Sequence, residues 1–341
     1  MFPVRGICLC GLLLAGSSCA TNGGILKPQQ VPYEAGRFVI LTADDFGASE
    51  NIDHGIRLAA EAGVITAISA MTNFSASLPE LQAIARELPQ VGIGVHLNIT
   101  TGKPVLPPEQ IPSLVTGEGT FYAIERILPR LKTISTGELQ RELKAQIEVL
   151  RQCGIRVDHL SNQHGLLSLY SPFWEVVLEL AAEYELPARS CLAGSVLYPD
   201  LFPHTGTRKK GRSVAAAFAL GHPLAALSFR RYSTLKEMNR NEQKMAAVGI
   251  PHPDLLLDSF YGDPTPANIL YILENLPPGI SEIVLHLGSY QREAAYPSGL
   301  DLEYFRKREC ELITVTSEYL KNYFRYLGIT AIGYRDLPRT R

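Results

Sequence analysis

The 341-residue chain carries little net charge, and its cysteines do not form a disulfide pattern. Lys and Arg number 32 and Asp and Glu number 34, which gives a formal charge of −2 at pH 7. No global electrostatic attraction therefore favours nucleic acid, and we expect a small or neutral partner. Beyond Ala20 the only cysteines are Cys153, Cys191 and Cys310. An odd, widely spaced set of three allows one bridge at most, so we expect buried thiols.

The sequence also lacks internal repeats, low-complexity tracts and a recognisable linker between domains. Hydrophobic residues make up 46% of the chain and charged residues 19%, a balance that excludes disorder and coiled coil and supplies a large core. Length alone is compatible with two domains or with one α/β barrel that carries insertions.

The N-terminal apolar run is too short to cross a bilayer as a permanent helix. It covers only residues 7–15, whereas a spanning helix needs about 20 residues. Arg5 precedes the run, and the small residues Ser18 and Ala20 follow it. This arrangement is typical of an export signal that is cleaved before Thr21, and the polar residues that follow disfavour the alternative of a buried N-terminal helix.

A second form of export signal is also compatible with this segment. Cys19 lies where a bacterial lipoprotein signal places its lipidated cysteine, although Gly16 occupies the position where such signals usually carry Leu. We therefore expect an exported protein, periplasmic or secreted, and keep membrane attachment through lipidated Cys19 as the alternative. The expected organisation is a signal peptide at residues 1–20, a flexible segment at 21–36 and one barrel domain at 37–338.

From Arg37 onward, strand-like and helix-like segments alternate. Eight segments have the apolar, β-branched composition of buried strands: 37–43, 64–72, 91–99, 155–160, 186–191, 248–257, 281–287 and 328–334. Helical periodicity or capping residues mark the stretches between them: 49–62, 77–88, 137–152, 172–185, 234–247, 265–275 and 301–327. An alternating chain of this kind implies a parallel sheet covered by helices, and eight units predict a (β/α) TIM-like barrel, regular or irregular, in a single domain.

Polar residues at the predicted strand ends are the main functional signal, because active sites of such barrels lie at the C-terminal ends of the strands. Asp44 and Asp45 end the first strand. Four of the eight histidines also fall at strand ends: His96, His159, His164 and His286. This convergence on one rim does not depend on any single residue.

The adjacent carboxylates of Asp44 and Asp45 repel each other unless a cation or a shared proton relieves them. One Asp could bind a metal ion while the other acts as a general base, or one of them could simply cap the helix that follows. His96 alone would be interpreted as a core residue. Together with Asp45 and His164, however, it suits a divalent ion that polarises a carbonyl and activates water.

Four blocks of the sequence resemble successive motifs of the YdjC-like carbohydrate deacetylases: LTADDFGASENIDHGIRLAAEAGVITAISAMTN, GIGVHLNITTGKPV, DHLSNQHG and EIVLHLGSY. The resemblance extends over about residues 37–338. It implies a (β/α) barrel, often irregular, and metal-dependent removal of acetyl groups from N-acetylated sugars. It also implies that Asp44 is the general base and that Asp45, His96 and a histidine of the fourth-strand block hold one Mg²⁺ or Zn²⁺ ion.

Two blocks depart from the family pattern. Position 163 is Gln where the family usually has its ligand histidine, and the histidine follows one place later. We favour His164 as the third ligand over Gln163 or His159. In the seventh strand block, His286 is followed by Leu287 rather than by the family's proline, which changes loop stiffness but leaves His286 available as an acid or a transition-state stabiliser.

The leading hypothesis is therefore an exported, metal-dependent deacetylase whose partner is an N-acetylated saccharide rather than nucleic acid, with a homodimer as a further expectation. Asn98, His159 and Tyr290 are the predicted substrate-binding residues. Two alternatives remain open. The altered blocks favour a sugar-binding pseudoenzyme, and the donor set would suit a metal-dependent phosphoesterase, although no second metal cluster is visible in the sequence.

Basic residues cluster between the fifth and sixth predicted strands. RKKGR occupies residues 208–212, and Arg230 and Arg231 follow. A solvated loop would explain these clusters. The alternative is a rim that contacts anionic glycans or lipid headgroups.

Overall fold

The structure, a computed structural model, describes residues 36–194, 215–258, 260, 263–290 and 302–338. Its regular strands are β1 Arg37–Phe46, β2 Ala67–Ala70, β3 Gly92–Leu97, β4 Val157–Asn162, β5 Leu255–Leu257, β6 Gly279–Leu285 and β7 Ile329–Ala331. Its α-helices are α1 Glu50–Glu61, α2 Leu78–Glu87, α3 Ile124–Ile127, α4 Thr136–Gln152, α5 Leu166–Leu169, α6 Ser171–Glu183, α7 Pro223–Tyr232, α8 Leu235–Ala247, α9 Pro266–Glu274, α10 Leu302–Thr316 and α11 Glu318–Tyr326.

The strands form one parallel sheet with helices between them. Their order is β4-β3-β2-β1-β6-β5, and β7 pairs with the start of β1. Central strand β1 pairs with β6 along most of its length and with β2 towards its end. Because all these pairings are parallel, the C-terminal ends of the strands meet at one edge. The predicted α/β class is confirmed.

The fifth predicted strand takes an irregular form. Ala188 makes an isolated parallel bridge to Leu160 of β4, and Ala193 makes another to Leu256 of β5. The segment thus contacts both edge strands of the sheet without becoming a regular strand, and Pro187 within it cannot donate a backbone hydrogen bond. The described fold is an irregular, barrel-like parallel sheet, and a complete eight-stranded TIM barrel stays a prediction.

Local sequence explains where the main helices begin. The side chain of Ser49 accepts a hydrogen bond from the backbone N–H of Ile52 and caps α1, so the interpretation of Asp44 or Asp45 as the cap of this helix is wrong. Helix α4 begins in the same way after Ser135. Its apolar residues at helical spacing are buried against the core, as predicted: Leu139, Leu143, Ile147 and Leu150.

Some elements differ from the prediction. The predicted helix 301–327 is divided into α10 and α11, and Ser317 caps the second of them. Helix α7 occupies a region that the sequence suggested to be a solvated loop. Among the described cysteines, Cys191 is buried as expected, but Cys310 is exposed. Within the described residues, no helix combines the length and apolarity that crossing a membrane requires. The predicted signal peptide, the 21–36 segment and the 208–212 basic cluster lie outside the described residues, apart from residue 36 itself.

Candidate active site

A pocket lies at the C-terminal ends of the strands and brings together the acidic and histidine residues predicted from the sequence. Its polar lining comes from six strand ends or the loops that follow them and from helices α5 and α10: Asp44, Asp45, His96, Thr101, Asn162, Gln163, His164, Ser168, Arg189, Ser190, Asp258, His286, Tyr304 and Arg308. Tyr290, Asn98 and His159 are not among the lining residues.

The end of β1 is irregular where it delivers the two carboxylates. Its register with β2 shifts between Ala43 and Phe46. Asp45 has a φ of 73°, a left-handed conformation that is costly for a residue with a Cβ atom and that clusters at functional sites. Asp44 and Asp45 both line the pocket, although successive residues of a regular strand point to opposite faces.

Asp44 forms a buried ion pair with Arg189. The guanidinium donates from Nη1 to Asp44 Oδ2 at 2.7 Å and from Nη2 to Oδ1 at 2.8 Å. The same guanidinium donates from Nη2 to Glu282 Oε1 at 2.8 Å. Burial alone would raise the pKa of Asp44, but Arg189, with smaller contributions from His96 and His286, holds that pKa well below its usual value. Asp44 is therefore ionised at neutral pH.

Asp45 has a different partner and one uncommitted oxygen. Arg308 Nη2 donates a short hydrogen bond to Oδ2, whereas the buried Oδ1 has no hydrogen-bond partner among the described residues. His96 Nε2 lies 3.7 Å from that Oδ1 and 3.9 Å from Asp44 Oδ2. Burial raises the pKa of Asp45, but Arg308 more than compensates and the pKa is lowered. Two arginines therefore provide the positive charge that the carboxylate pair requires.

Two of the pocket histidines, His96 and His164, are held through their Nδ1 atoms. His96 Nδ1 is hydrogen-bonded to Ser161 Oγ at 2.8 Å, and His164 Nδ1 to Thr100 Oγ1 at 3.1 Å. Burial lowers the pKa of His164 to about 4, against the opposing effect of Asp45. His164 is therefore neutral at pH 7 and can donate a ring nitrogen lone pair.

His286 follows β6 and is positioned through its backbone. Its N–H donates to Glu311 Oε1 at 2.8 Å. Burial lowers the pKa of His286 to about 4, so this ring is also neutral at pH 7. Glu311 has no exposed surface, and burial raises its pKa to about 8. A largely protonated Glu311 therefore lies behind the pocket.

Two predicted substrate-binding residues have structural positions instead. His159 is fully buried, stacks on Tyr334 with ring centroids 4.1 Å apart, and is hydrogen-bonded to Ser69 Oγ at 3.0 Å. Asn98 has no exposed surface, and its Oδ1 accepts from the backbone N–H groups of residues 100 and 101. Neither side chain belongs to the pocket lining, and a role in substrate binding stays a prediction for both.

The third predicted substrate-binding residue lies beyond the pocket lining. Tyr290 is half-buried, and its backbone N–H donates to Glu309 Oε1 at 3.3 Å. It follows His286 by four residues, which places it near the strand end. Its role in substrate binding stays a prediction.

Comparison with known proteins now identifies the family. The family model described as YdjC-like protein matches residues 38–326. The chain belongs to the YdjC-like family. A carbohydrate deacetylase of Brevibacillus brevis is 28% identical over 301 residues, which cover 88% of this chain and 99% of that protein. A carbohydrate deacetylase of Geobacillus stearothermophilus is 34% identical over 174 residues, 49% of this chain and 68% of that protein.

A solved structure supports the same relationship. A protein of Enterococcus faecalis V583, named for a proposed role in cellobiose-phosphate cleavage, superposes with a TM-score of 0.67 at 25% identity. The superposition covers 88% of this YdjC-like chain and 98% of that chain. The resemblance inferred from the sequence motifs is therefore confirmed by the family model, and the overall fold is shared with this solved structure.

The donor chemistry of this YdjC-like pocket fits a divalent ion. Asp45 Oδ1 is buried and has no hydrogen-bond partner in the part of the chain that the structure describes. The bonds to Nδ1 of His96 and His164 leave Nε2 as the nitrogen that could bind an ion, a common arrangement around metal-bound histidine. However, the described residues contain no ready-made group of three His, Cys, Asp or Glu side chains at metal-binding spacing. Gln163 Oε1 lies 3.1 Å from His96 Nε2, so Gln163 must move or join the ligands when an ion binds.

The sequence motifs did not predict the charged residues that surround the acidic and histidine residues of the pocket. Arg189 and Arg308 are 145 and 263 residues from the aspartates that they pair with, so no local motif contains both partners. A signal was nevertheless present. Arg189 and Glu282 are charged residues within apolar, strand-like segments, and a charge in such a position requires a buried partner.

Proposed function

We propose that this YdjC-like protein is a metal-dependent deacetylase of N-acetylated saccharides. The observation that carries the proposal is the pair of ionised carboxylates, one bound through both oxygens by Arg189 and the other with Oδ1 uncommitted beside His96. A general base and a metal ligand need these two different environments. Curated relatives named carbohydrate deacetylases support the substrate class.

Asp45, His96 and His164 would hold the ion, with Gln163 as the alternative third donor. A bound divalent ion supplies Lewis acidity towards the acetyl carbonyl and lowers the pKa of water. The low pKa values of Asp45 and His164 match this role, because a carboxylate and a neutral imidazole are the ligating forms. Both Mg²⁺ and Zn²⁺ suit the set, since it combines a hard oxygen with imidazole nitrogens.

Asp44 accepts the proton of the attacking water in this proposal. Its Oδ2 lies 3.9 Å from His96 Nε2, next to the proposed ligands and therefore next to the site of attack. Arg189 fixes both oxygens and keeps the carboxylate ionised, so Asp44 is available as a base throughout the neutral pH range. The same pairing weakens its basicity, because the positive charge stabilises the ionised form.

His286 stabilises the reacting groups on the other side of the pocket. With a pKa of about 4, it is neutral before the reaction and acts as a hydrogen-bond donor towards developing negative charge. The proton that Asp44 accepts from the water is the one passed on to the departing amine, while His286 stays a neutral hydrogen-bond donor. Its position depends on the hydrogen bond from its backbone N–H to Glu311.

The proposal is tested by measuring acetate release from N-acetylated glucosamine oligosaccharides, with the full chain stripped of metal and reloaded with Mg²⁺ or Zn²⁺. We expect metal-dependent release, and a loss of about 100-fold or more in Asp44→Asn, which keeps size and removes basicity. Asp158→Asn is the matched control, because Asp158 is also buried and paired with an arginine, Arg335 at 3.2 Å, but lies outside the pocket lining.

The outcomes separate the three functional hypotheses. Release of acetate that survives in Asp44→Asn would remove Asp44 from the mechanism. Binding of sugar without hydrolysis in the metal-loaded protein would favour a sugar-binding pseudoenzyme. Phosphate release from sugar phosphates without acetate release would favour a phosphoesterase.

Export of the protein is a separate part of the proposal and rests on the sequence of residues 1–20. Mass spectrometry of the native N-terminus should find Thr21 as the first residue, or an acylated Cys19 in the lipoprotein alternative. An intact Met1 on protein recovered from the cytoplasm would overturn export. Sedimentation of the purified protein tests the expected homodimer.

A further inference from the structure

The helical region beside the pocket carries an apolar face that nothing in the described part of the chain covers. Residues 215–221 are helical, and α7 follows after His222. Leu220, Leu224 and Leu227 are 86%, 68% and 66% exposed. Leu224 and Leu227 are three residues apart on α7 and therefore lie on the same side of the helix. We call these three residues the leucine face.

The opposite side of the same region packs into the protein. Phe218, Ala225 and Phe229 are buried, and α7 packs against α3 and the short helix Leu128–Thr133. The leucine face is thus the outer side of this helical region, and the opposite side packs against the rest of the protein. Leu220 is the most exposed large apolar side chain among the described residues, and three such leucines so close together in sequence exceed the scattered exposure that is normal on a surface.

The sequence around the leucine face is strongly basic. Residues 201–236 contain seven Lys or Arg residues and no Asp or Glu, although acidic residues slightly outnumber basic ones in the whole chain, 34 to 32. Arg230 and Arg231 on α7 are exposed, as are Arg130 and Lys132 on the neighbouring short helix. Positive charge is therefore concentrated beside the apolar side chains.

We propose that the leucine face binds the surface of an anionic lipid bilayer. Exposed leucines next to arginines and lysines are the pattern of interfacial helices, whose apolar side chains enter the acyl boundary while the cations meet lipid phosphates. A second copy of the chain fits less well, because a twofold contact would bring the basic residues of both copies together.

Binding in this orientation would bring the pocket to the membrane surface. Phe229 belongs to the same helix as Leu224 and Leu227 and lines the pocket, so α7 would lie between the bilayer and the pocket. This mode of attachment is independent of the acyl chain considered for Cys19. It also does not depend on the deacetylase chemistry, since none of its residues takes part in the proposed reaction.

The test is cosedimentation of the full chain with vesicles of phosphatidylglycerol and phosphatidylcholine in equal amounts, compared with vesicles of pure phosphatidylcholine. All proteins carry Cys19→Ser, so that acylation cannot contribute. We expect binding to the anionic vesicles that weakens with salt, and a loss of about 10-fold or more in L224E/L227E. R230Q/R231Q should also weaken binding, by up to about fivefold for each charge removed, because each cation near an anionic surface contributes about 1 kcal/mol.

V248E/I313E is the matched control, because Val248 and Ile313 are 56% and 64% exposed and lie on other helices or their ends. It should bind the vesicles as the wild type does. L224S/L227S removes the apolar surface without adding charge and should also lose binding. Circular dichroism melting confirms that each variant is folded, as the exposure of the replaced side chains predicts.

Three results would overturn the proposal. One is wild-type binding by both leucine variants, which would place the contact elsewhere. Another is equal binding to neutral and anionic vesicles, which would remove the charge complementarity. The third is a leucine-dependent dimer in analytical ultracentrifugation without vesicle binding, which would show that a second copy covers this face.

Discussion

Replacement of Arg189 by Met tests the charge arrangement around Asp44 directly. Arg189 is only 6% exposed, and its guanidinium donates hydrogen bonds to both Asp44 and Glu282. Methionine keeps part of the apolar volume but removes every one of these bonds. The substitution therefore leaves two buried carboxylates without the cation that they share.

The expected destabilisation follows from the buried charges. Removing one partner of a buried ion pair costs about 3–5 kcal/mol, because the remaining charge stays buried without compensation. Arg189 serves two carboxylates, so we expect a loss near the upper end, about 5 kcal/mol at pH 7.5. Losses of this size exceed the usual effect of a single substitution.

The destabilisation caused by Arg189→Met depends on pH. In the wild type the pKa of Asp44 is lowered, so this group stabilises the fold at pH values above about 4, and that contribution disappears as pH falls through the lowered pKa. Without Arg189, burial raises the pKa of Asp44, and the ionised form then destabilises the fold as pH rises. The difference between wild type and variant should therefore be larger at pH 7.5 than at pH 4.5.

Urea unfolding followed by the fluorescence of Trp174, the single and buried tryptophan, measures both effects. Arg57→Met is the matched control, because Arg57 also pairs with several carboxylates, those of Glu61, Glu80 and Glu87, but at the surface. It should cost at most about 1 kcal/mol. A loss of stability in Arg189→Met no larger than in this control, or equal at the two pH values, would contradict the role assigned to Arg189.

Three further predictions concern individual groups of the site. His164→Ala should weaken the binding of Zn²⁺ or Mg²⁺ at least about 10-fold in calorimetric titration without unfolding the protein, and unchanged binding would transfer the ligand role to Gln163. Glu311→Gln should stabilise the protein by roughly 3 kcal/mol at pH 7 and little at pH 4. Between the ordinary pKa of a glutamate and the folded-state pKa of about 8, only the unfolded state releases the Glu311 proton, and this release destabilises the wild type. If the free energy of unfolding in urea changed with pH between 4 and 8 in the variant as it does in the wild type, this prediction would be wrong. His159→Gln should lower the free energy of unfolding by about 1–3 kcal/mol, since it loses the stacking on Tyr334. The rate of acetate release should stay within a few-fold of the wild type. A loss of activity without a loss of stability would instead assign His159 to the active site.

The fold was predictable where side-chain periodicity and capping agree. Helices α1 and α4 begin within two residues of their predicted starts, because a serine cap precedes an apolar stripe in each. Segment 186–191 has the composition of a strand but forms isolated bridges, since its pairing is decided by the distant edges of β4 and β5. Helix α7 was missed because its exposed leucines give no amphipathic pattern facing the core.

Site residues could be predicted where a single short motif at a strand end contains them. Their roles as base and metal ligands were assigned from the resemblance to the family. Asp45, His96 and His286 all reach the pocket, because each ends a strand or directly follows one. His159 shows the limit of that rule. It lies inside β4 rather than at its end, and Tyr334, from the last described segment of the chain, covers it. A contact between residues so far apart in sequence leaves no local signal.

The two adjacent aspartates become chemically different through residues that no local pattern includes. Asp44 accepts a hydrogen bond on each oxygen from Arg189, whereas Asp45 accepts from Arg308 on Oδ2 and keeps Oδ1 without a partner among the described residues. A buried carboxylate oxygen of this kind beside an imidazole is suited to bind a cation, since the cation would supply the interaction that the protein does not. A carboxylate held ionised and oriented by a guanidinium keeps the unprotonated form that a base needs, although the same pairing weakens its basicity. In the proposed mechanism, the division between base and ligand follows from the number of hydrogen bonds that each aspartate accepts, two for Asp44 and one for Asp45, and the two arginines determine that number.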